Sequence, residues 1–168
     1  MLLSFEGIDG SGKSTQIELL KSRLRKHQYP VSVYREPGGT ELSEEVRSLL
    51  LDHKYDIDPV SEMLLFSAAR SQLIAERVQP DLKAGTVVIL DRYYDSTTAY
   101  QGFGRGVLTV DEIQRINAIA SHHMAPDLTF YLHISLEDAL SRTKTKRKDR
   151  MESSGEDFYK RVIEGFEY

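Results

Sequence analysis

The chain predicts an α/β fold in which a parallel sheet carries helices on both faces, and three observations lead there. Short apolar runs alternate with stretches of helical period over all 168 residues, the order that parallel strands joined by crossover helices require. A glycine-rich loop, Gly7-Ile8-Asp9-Gly10-Ser11-Gly12-Lys13-Ser14-Thr15, follows the first apolar run, Met1 to Phe5. Further on, Val87-Val88-Ile89-Leu90 is unbroken and ends in Asp91, as in a central strand with both faces buried.

The elements follow in order. From Thr15 to about Gln28, Ile17, Leu20 and Leu24 recur at helical spacing among Lys21, Arg23, Arg25 and Lys26, which predicts a helix with one buried face. After Tyr29-Pro30, Val31 to Tyr34 reads as a second strand, with Arg35-Glu36-Pro37-Gly38-Gly39-Thr40 at its C-terminal end. Leu42, Val46, Leu49 and Leu50 mark a helix from Glu41 to Leu51, and a polar loop holding Pro59 follows. A long helical stretch is predicted from Ser61 to about Lys83, kinked or restarted at Pro80. Thr109-Val110-Asp111-Glu112 is a capping box that opens a helix to about His122. Leu128 to Leu132 is the fourth strand, Ser135 to about Arg142 a helix, and a last helix starts near Glu156. Neither a repeat nor a linker divides the chain, so residues 1–168 read as one domain.

Composition narrows the class of function. A net charge of −4 and a pI near 5.8 argue against a nucleic-acid binder, which carries a basic surplus. Without cysteine there is no disulfide framework and no thiolate metal site. No targeting segment and no bilayer-length apolar run stand out, so a soluble, cytoplasmic protein with no membrane partner is expected.

The loop carries the chemistry. It fits G-x-x-x-x-G-K-[ST] without a gap. Its glycines let several backbone N–H groups converge on one point at a helix start, which is an anion site. Lys13 then reaches the terminal phosphates, facing ligand and solvent, and the Ser14 hydroxyl takes a place on magnesium. Asp91, at the end of a buried strand, is the matching Walker B acid. Beyond the loop there is no Asp-x-x-Gly after a strand and no Asn-Lys-x-Asp, so GTP specificity is not expected.

Five blocks give more. The loop, Arg35 to Thr40, Leu65-Phe66-Ser67-Ala68-Ala69-Arg70, Asp91-Arg92-Tyr93 with Ser96 to Gly102, and Pro126-Asp127-Leu128 closely resemble the thymidylate kinase family, in register from Leu2 to Tyr168. The resemblance implies a three-layer P-loop nucleoside monophosphate kinase fold, with ATP and Mg2+ at residues 7–15, dTMP as acceptor, dTDP as product and a homodimer. It implies that Arg35 and Arg92 grip the dTMP phosphate, as guanidinium forks suit a dianion. It also implies that Phe66 stacks on thymine, Arg70 bonds a base carbonyl, and Asp9 faces the 3′-hydroxyl region. Thr97, Tyr100 and Gln101 close around base and deoxyribose, and Pro37 sets the edge of the thymine pocket.

The family's chain continues with another strand and helix, whose preceding loop helps to hold adenine; here the sequence stops at Tyr168, and an apolar fourth strand is expected as an open edge. Gly10 stands where one branch of the family has an arginine, so the catalytic positive charge is expected from a lid at about 142–155. Its basic run is Arg142, Lys144, Lys146, Arg147, Lys148 and Arg150, with Arg142 and Arg147 favoured, then Arg150. Another P-loop nucleotide or deoxynucleoside kinase, or a non-catalytic nucleotide-binding module, remains open.

Overall fold

A computed structural model describes residues 1–144, 149–151 and 153–168. Its sheet has four parallel strands in the order β2-β3-β1-β4: β1 (Leu2–Glu6), β2 (Val31–Arg35), β3 (Val87–Asp91) and β4 (Leu128–Tyr131). The register sets Phe5 and Arg35 on either side of Asp91, so the C-terminal ends of β1, β2 and β3 lie level. That edge of an open α/β sheet is where ligands bind.

The strand sequences explain the layers. Successive side chains point to opposite faces; both faces of β3 are apolar, and in β1 Leu3 and Phe5 share one face while Leu2 shares the other with the buried polar Ser4 and Glu6. Leu2, Val88 and Leu90 pack with Leu73, Ile74, Val78 and Tyr93 on one face. Leu3, Phe5, Val87 and Ile89 pack on the other with Ile17, Leu20 and Leu24 of α1 (Lys13–Lys26). Val88, Ile89 and Leu90 are fully buried, as the unbroken run predicts. β4 pairs only with β1 and stays half exposed, with Phe130 stacked on Phe5 at 4.7 Å.

The helices keep close to the sequence pattern, with differences of cause. α2 (Glu41–Leu51) starts at Thr40, whose side chain accepts from the Ser43 N–H. α3 (Pro59–Leu73) begins earlier than predicted: Asp58 caps it, accepting from the Val60 and Ser61 N–H groups, and Pro59 occupies the first turn, where a missing N–H costs nothing. The break comes before Pro80, as a π-helical turn over Ile74–Val78 that passes directly into α4 (Gln79–Lys83). Tyr94–Thr97 (α5) and a second π-helical turn, Thr98–Gly104, form an element for which the periodicity gives no signal. The capping box at Thr109 is present and opens α6 (Val110–Ala120). α7 (Leu136–Thr143) and α8 (Glu156–Glu167) complete the chain, and α8 buries Phe158, Tyr159 and Val162 against Tyr100 and Ala99. No helix is long and apolar enough to cross a membrane among the described residues.

Candidate active site

The phosphate loop leaves β1 and turns into α1 over the β1–β3 pair. Gly7 has φ +134, and a Cβ there would come 2.6 Å from the Leu132 carbonyl oxygen, so only glycine lets the chain pass beneath the end of β4. At Gly10 a Cβ would meet the Ala139 carbonyl oxygen at 3.0 Å, because α7 lies on the loop. A larger side chain at position 10 would displace α7. Arg142, on the same helix, donates instead to the Gly10 carbonyl at 3.1 Å. Helix α7 thus brings a guanidinium to the loop from outside, which the loop itself cannot supply.

Lys13 differs from expectation. It is buried, not turned to solvent, with Nζ donating to the Gly7 and Ile8 carbonyls at 2.9 and 3.1 Å. Burial, with the Arg92 charge adding to it, lowers its pKa to about 8. The ammonium is therefore short of anionic partners in a loop shaped for anions. Ser14 Oγ donates to Asp91 Oδ2 at 3.2 Å, so a hydroxyl and a carboxylate face each other at the mouth of the loop. Two oxygen donors of this kind suit magnesium, which keeps most of its waters and takes few protein ligands.

Arg92 follows β3 with φ 75, a left-handed conformation that costs a residue with a Cβ about 1–3 kcal/mol. The strain is held by local bonds. The Tyr93 N–H donates to Glu6 Oε1 at 2.7 Å, and Ser96 Oγ donates to Glu6 Oε2 at 2.6 Å. The conformation throws the guanidinium back over the loop, onto the Gly7 carbonyl at 2.9 Å and Asp9 at 2.8 Å, with Tyr100 beneath it at 5.0 Å. Burial opposes the Arg92 charge, but Asp9, Tyr100 and Glu6 outweigh it and hold the pKa above its usual range.

Two clefts meet at this point. One of about 540 Å³ is lined by Gly10 to Thr15, Asp9, Arg35, Glu36, Arg47, Asp91, Arg92 and Asp149, Ser11 excepted. The other, of about 100 Å³, is lined by Pro37, Phe66, Arg70, Thr97, Tyr100, Gln101 and Met151, among others, and shares Asp9, Glu36, Arg47, Arg92 and Asp149 with the first. A separate cavity of about 470 Å³ beside β4 contains no residue of the loop except its neighbour Glu6.

The second cleft is walled by buried side chains. Thr97, Gln101 and Arg70 are at most 3% exposed, and Arg70 donates to Glu36 Oε2 at 2.6 Å and to Asn117 at 3.3 Å. Burial raises the Glu36 pKa while Arg70 opposes it. The other oxygen, Oε1, is buried without a partner, an acceptor that a ligand N–H or O–H would satisfy. Phe66 is half-buried at the wall, and Pro37 follows a cis bond from Glu36.

The structure brings most of the expected site residues it describes to the two clefts, but Arg142 touches the loop at Gly10 without lining either, and others take part unequally. Of the two clefts Arg35 lines the phosphate one and not the other, and it is half exposed, donating to Glu44 at 3.0 Å. Arg147 lies outside the described residues. Arg150 does not reach the loop at all: its guanidinium turns inward to Glu62 Oε2 at 2.6 Å and the Leu50 carbonyl at 2.8 Å. Among residues that sequence reasoning misses, Arg47 stands between the clefts, donating to the Pro37 carbonyl at 3.0 Å. Burial lowers its pKa, and Arg35 and Arg92 add to the shift; three guanidiniums thus converge on one cleft. On α2, Arg47 reads as one more polar position beside the apolar stripe. Glu36 was visible only as part of a block.

A phosphate-loop cleft that shares a wall with a second cleft of buried side chains is the arrangement of a P-loop phosphotransferase. Comparison narrows the class. The family model for thymidylate kinase matches residues 5–167. The thymidylate kinase of Chlorobaculum tepidum is 52% identical over 99% of this chain and 82% of its own length. That of Caldanaerobacter subterraneus is 46% identical over 98% and 78%. A solved thymidylate kinase from Ehrlichia chaffeensis superposes with a TM-score of 0.81 at 37% identity, covering 99% of this chain and 84% of that one. The chain belongs to the thymidylate kinase family.

Proposed function

We propose that the protein transfers the γ-phosphoryl group of ATP to dTMP, giving dTDP in the cytoplasm. The observation that carries the reading is the junction of the clefts, where Arg47 and Arg92 line both and Arg35 stands beside them. A phosphate acceptor is already an anion at neutral pH, so attack needs no strong base. The barrier lies in bringing two polyanions together. Arg47, whose pKa is lowered by burial and by the charges of Arg35 and Arg92, gains from a dianion placed among the three.

The side chains divide the work accordingly. The loop N–H groups and Lys13 hold the donor phosphates, Lys13 turning from the Gly7 and Ile8 carbonyls to do so. Ser14 and Asp91 would hold magnesium, which supplies neutralisation of the donor phosphates when bound. Arg35, Arg47 and Arg92 take the acceptor phosphate, with Asp9 fixing Arg92 at 2.8 Å and lying near the sugar. Phe66, Arg70, Thr97, Tyr100 and Gln101 take base and deoxyribose, with Pro37 at the edge. Arg142 and Arg147 of the lid supply positive charge at the transferring group, a contribution that acts mostly in the transition state.

Product analysis with Mg-ATP and each nucleoside monophosphate tests this. Expected is dTMP first, dUMP weaker by about tenfold for one methyl, and ribonucleotides poor; faster turnover of CMP or AMP would overturn it. The reading includes a homodimer. It is supported by apolar side chains exposed on three packed helices, Leu42 and Leu49 on α2, Val60 and Leu64 on α3, and Ile119 on α6. Sedimentation at micromolar concentration checks it, and a monomer would refute it.

A further inference from the structure

Glu62, in the first turn of α3, has a side chain with no exposure at all, yet it lies outside both clefts. Its carboxylate is fully used. Oε1 accepts from Gln101 Nε2 at 3.0 Å and Arg105 Nε at 3.0 Å; Oε2 accepts from Arg105 at 2.9 Å and Arg150 at 2.6 Å. Burial works to raise its pKa, but the bonds from Arg105 and Gln101 prevail and lower it. The group is therefore an anion and can only accept.

We infer that Glu62 is a positioning residue that decides which end of the Gln101 amide meets the acceptor base. An amide can face a ligand with its oxygen or its NH2, and the two ends select opposite partners. A carboxylate acceptor at Nε2 permits one orientation only, leaving Oε1 as the acceptor that Gln101 offers to the cleft it lines. That end suits a ring whose edge carries N–H, as thymine and uracil do at N3. It opposes cytosine, whose N3 is an acceptor. The same carboxylate holds Arg150, whose N–H also bonds the Leu51 carbonyl at 3.3 Å, and so seats Asp149 and Met151 in the cleft wall. Base selection and the end of the lid segment are joined at one buried charge.

The inference rests on the thymine-nucleotide reading, and its test separates the two. In Glu62→Gln the new amide keeps its oxygen in the Oε2 place, where two guanidinium bonds are retained and only that from Arg105 Nε is lost, and turns its NH2 to Gln101, which rotates to accept and shows its own NH2 to the base. The measurement is kcat/KM for dTMP, dUMP and dCMP in wild type, Glu62→Gln and Glu62→Asp, with a thermal melt for each. Expected is a fall of about tenfold or more in the dTMP:dCMP ratio for Glu62→Gln, with the dTMP:dUMP ratio within about threefold, since those two bases share N3–H. Glu62→Asp, still only an acceptor, keeps the wild-type dTMP:dCMP ratio although it melts lower. A ratio unchanged in Glu62→Gln, or lowered equally in Glu62→Asp, overturns the inference while leaving the kinase reading intact. Wild type without dTMP turnover overturns both. Should the single variant not fold, Glu62→Gln with Arg150→Met restores charge balance at the node and asks the same question.

Discussion

The phosphate cleft and the base cleft share a wall and are built on opposite plans. The first draws half of its lining from one stretch, residues 9–15, and leaves Ser14, Thr15 and Arg35 exposed. The second gathers Glu36, Phe66, Arg70, Thr97, Gln101 and Met151 from separate segments, and nearly all are buried. The contrast follows from what each recognises. A phosphate is read by backbone N–H groups and charge, which one strand-loop-helix unit can present and which tolerate water. A base edge is read by individual donors and acceptors, which discriminate only where water cannot substitute. Each such group then needs its own buried partner, as Arg70 has in Glu36 and Gln101 in Glu62.

Substitutions on the two sides should separate turnover from acceptor binding. Lys13→Ala should lower kcat by about 10³, since a positioned charge on the transferring group acts mostly in the transition state, with dTMP affinity within about threefold. The melting temperature should drop modestly, because the Gly7 and Ile8 carbonyls lose their donor. Steady-state kinetics, dTMP titration and a melt check this; equal losses of kcat and dTMP affinity would dissolve the division. Arg142→Ala should cost turnover about 10², again sparing dTMP affinity, because its contact is with the Gly10 carbonyl. On the other side, Phe66→Ala should weaken dTMP binding by about 10- to 100-fold, the worth of one base–aromatic stack, and leave the KM for ATP unmoved. A rise in both constants would show that Phe66 supports the fold of the loop instead.

The same contrast explains what was legible in the sequence. The phosphate cleft is local, so nine consecutive residues declare it, and strand period and burial pattern place it at the edge of the sheet. The fold was legible where apolar periodicity is strong: β3, α2, α6 with its capping box, and α8. It was not legible at Tyr94–Gly104, where an α-turn runs into a π-helical turn and polar Ser96, Thr97 and Gln101 are buried alongside Ala99 and Tyr100. π-helical turns break the helical period and cluster at functional sites. The residues proposed to face the base came through resemblance alone; their partners stayed hidden, because Glu62 and Arg105 are far apart in sequence and each reads as a surface charge. Arg150 misled for the same reason. A basic run shows where charge is dense, not which guanidinium turns inward.

The smallest predicted effect concerns Glu6, whose carboxylate offers the sharpest comparison with Glu62. Both are buried and fully bonded, but Glu62 meets Arg105 and Arg150, whereas Glu6 meets a peptide N–H and a hydroxyl. Neutral donors do not offset desolvation as guanidiniums do. Burial therefore raises the Glu6 pKa to about 8, with Asp95 adding to the shift and Ser96, Arg92 and Tyr93 opposing it. In the unfolded chain the group returns to about 4.5. Between those values the folded state binds the extra proton, so the contribution of Glu6 to stability is whole below about pH 4.5 and is lost as pH rises through about 8. The slope can approach 1.4 kcal/mol per pH unit, roughly. Glu36 and Asp95, also raised by burial, act in the same direction, so Glu6→Gln should reduce the slope without abolishing it. Lys13, lowered to about 8, has the opposite sign, since the unfolded chain holds its proton longer, but that contribution falls between about pH 8 and 10.5. Urea unfolding from pH 5 to 7.5 isolates the Glu6 window. Wild type should lose stability across it and Glu6→Gln should lose distinctly less; parallel lines for the two proteins would mean that Glu6 is ionised in the folded state, as Glu62 is.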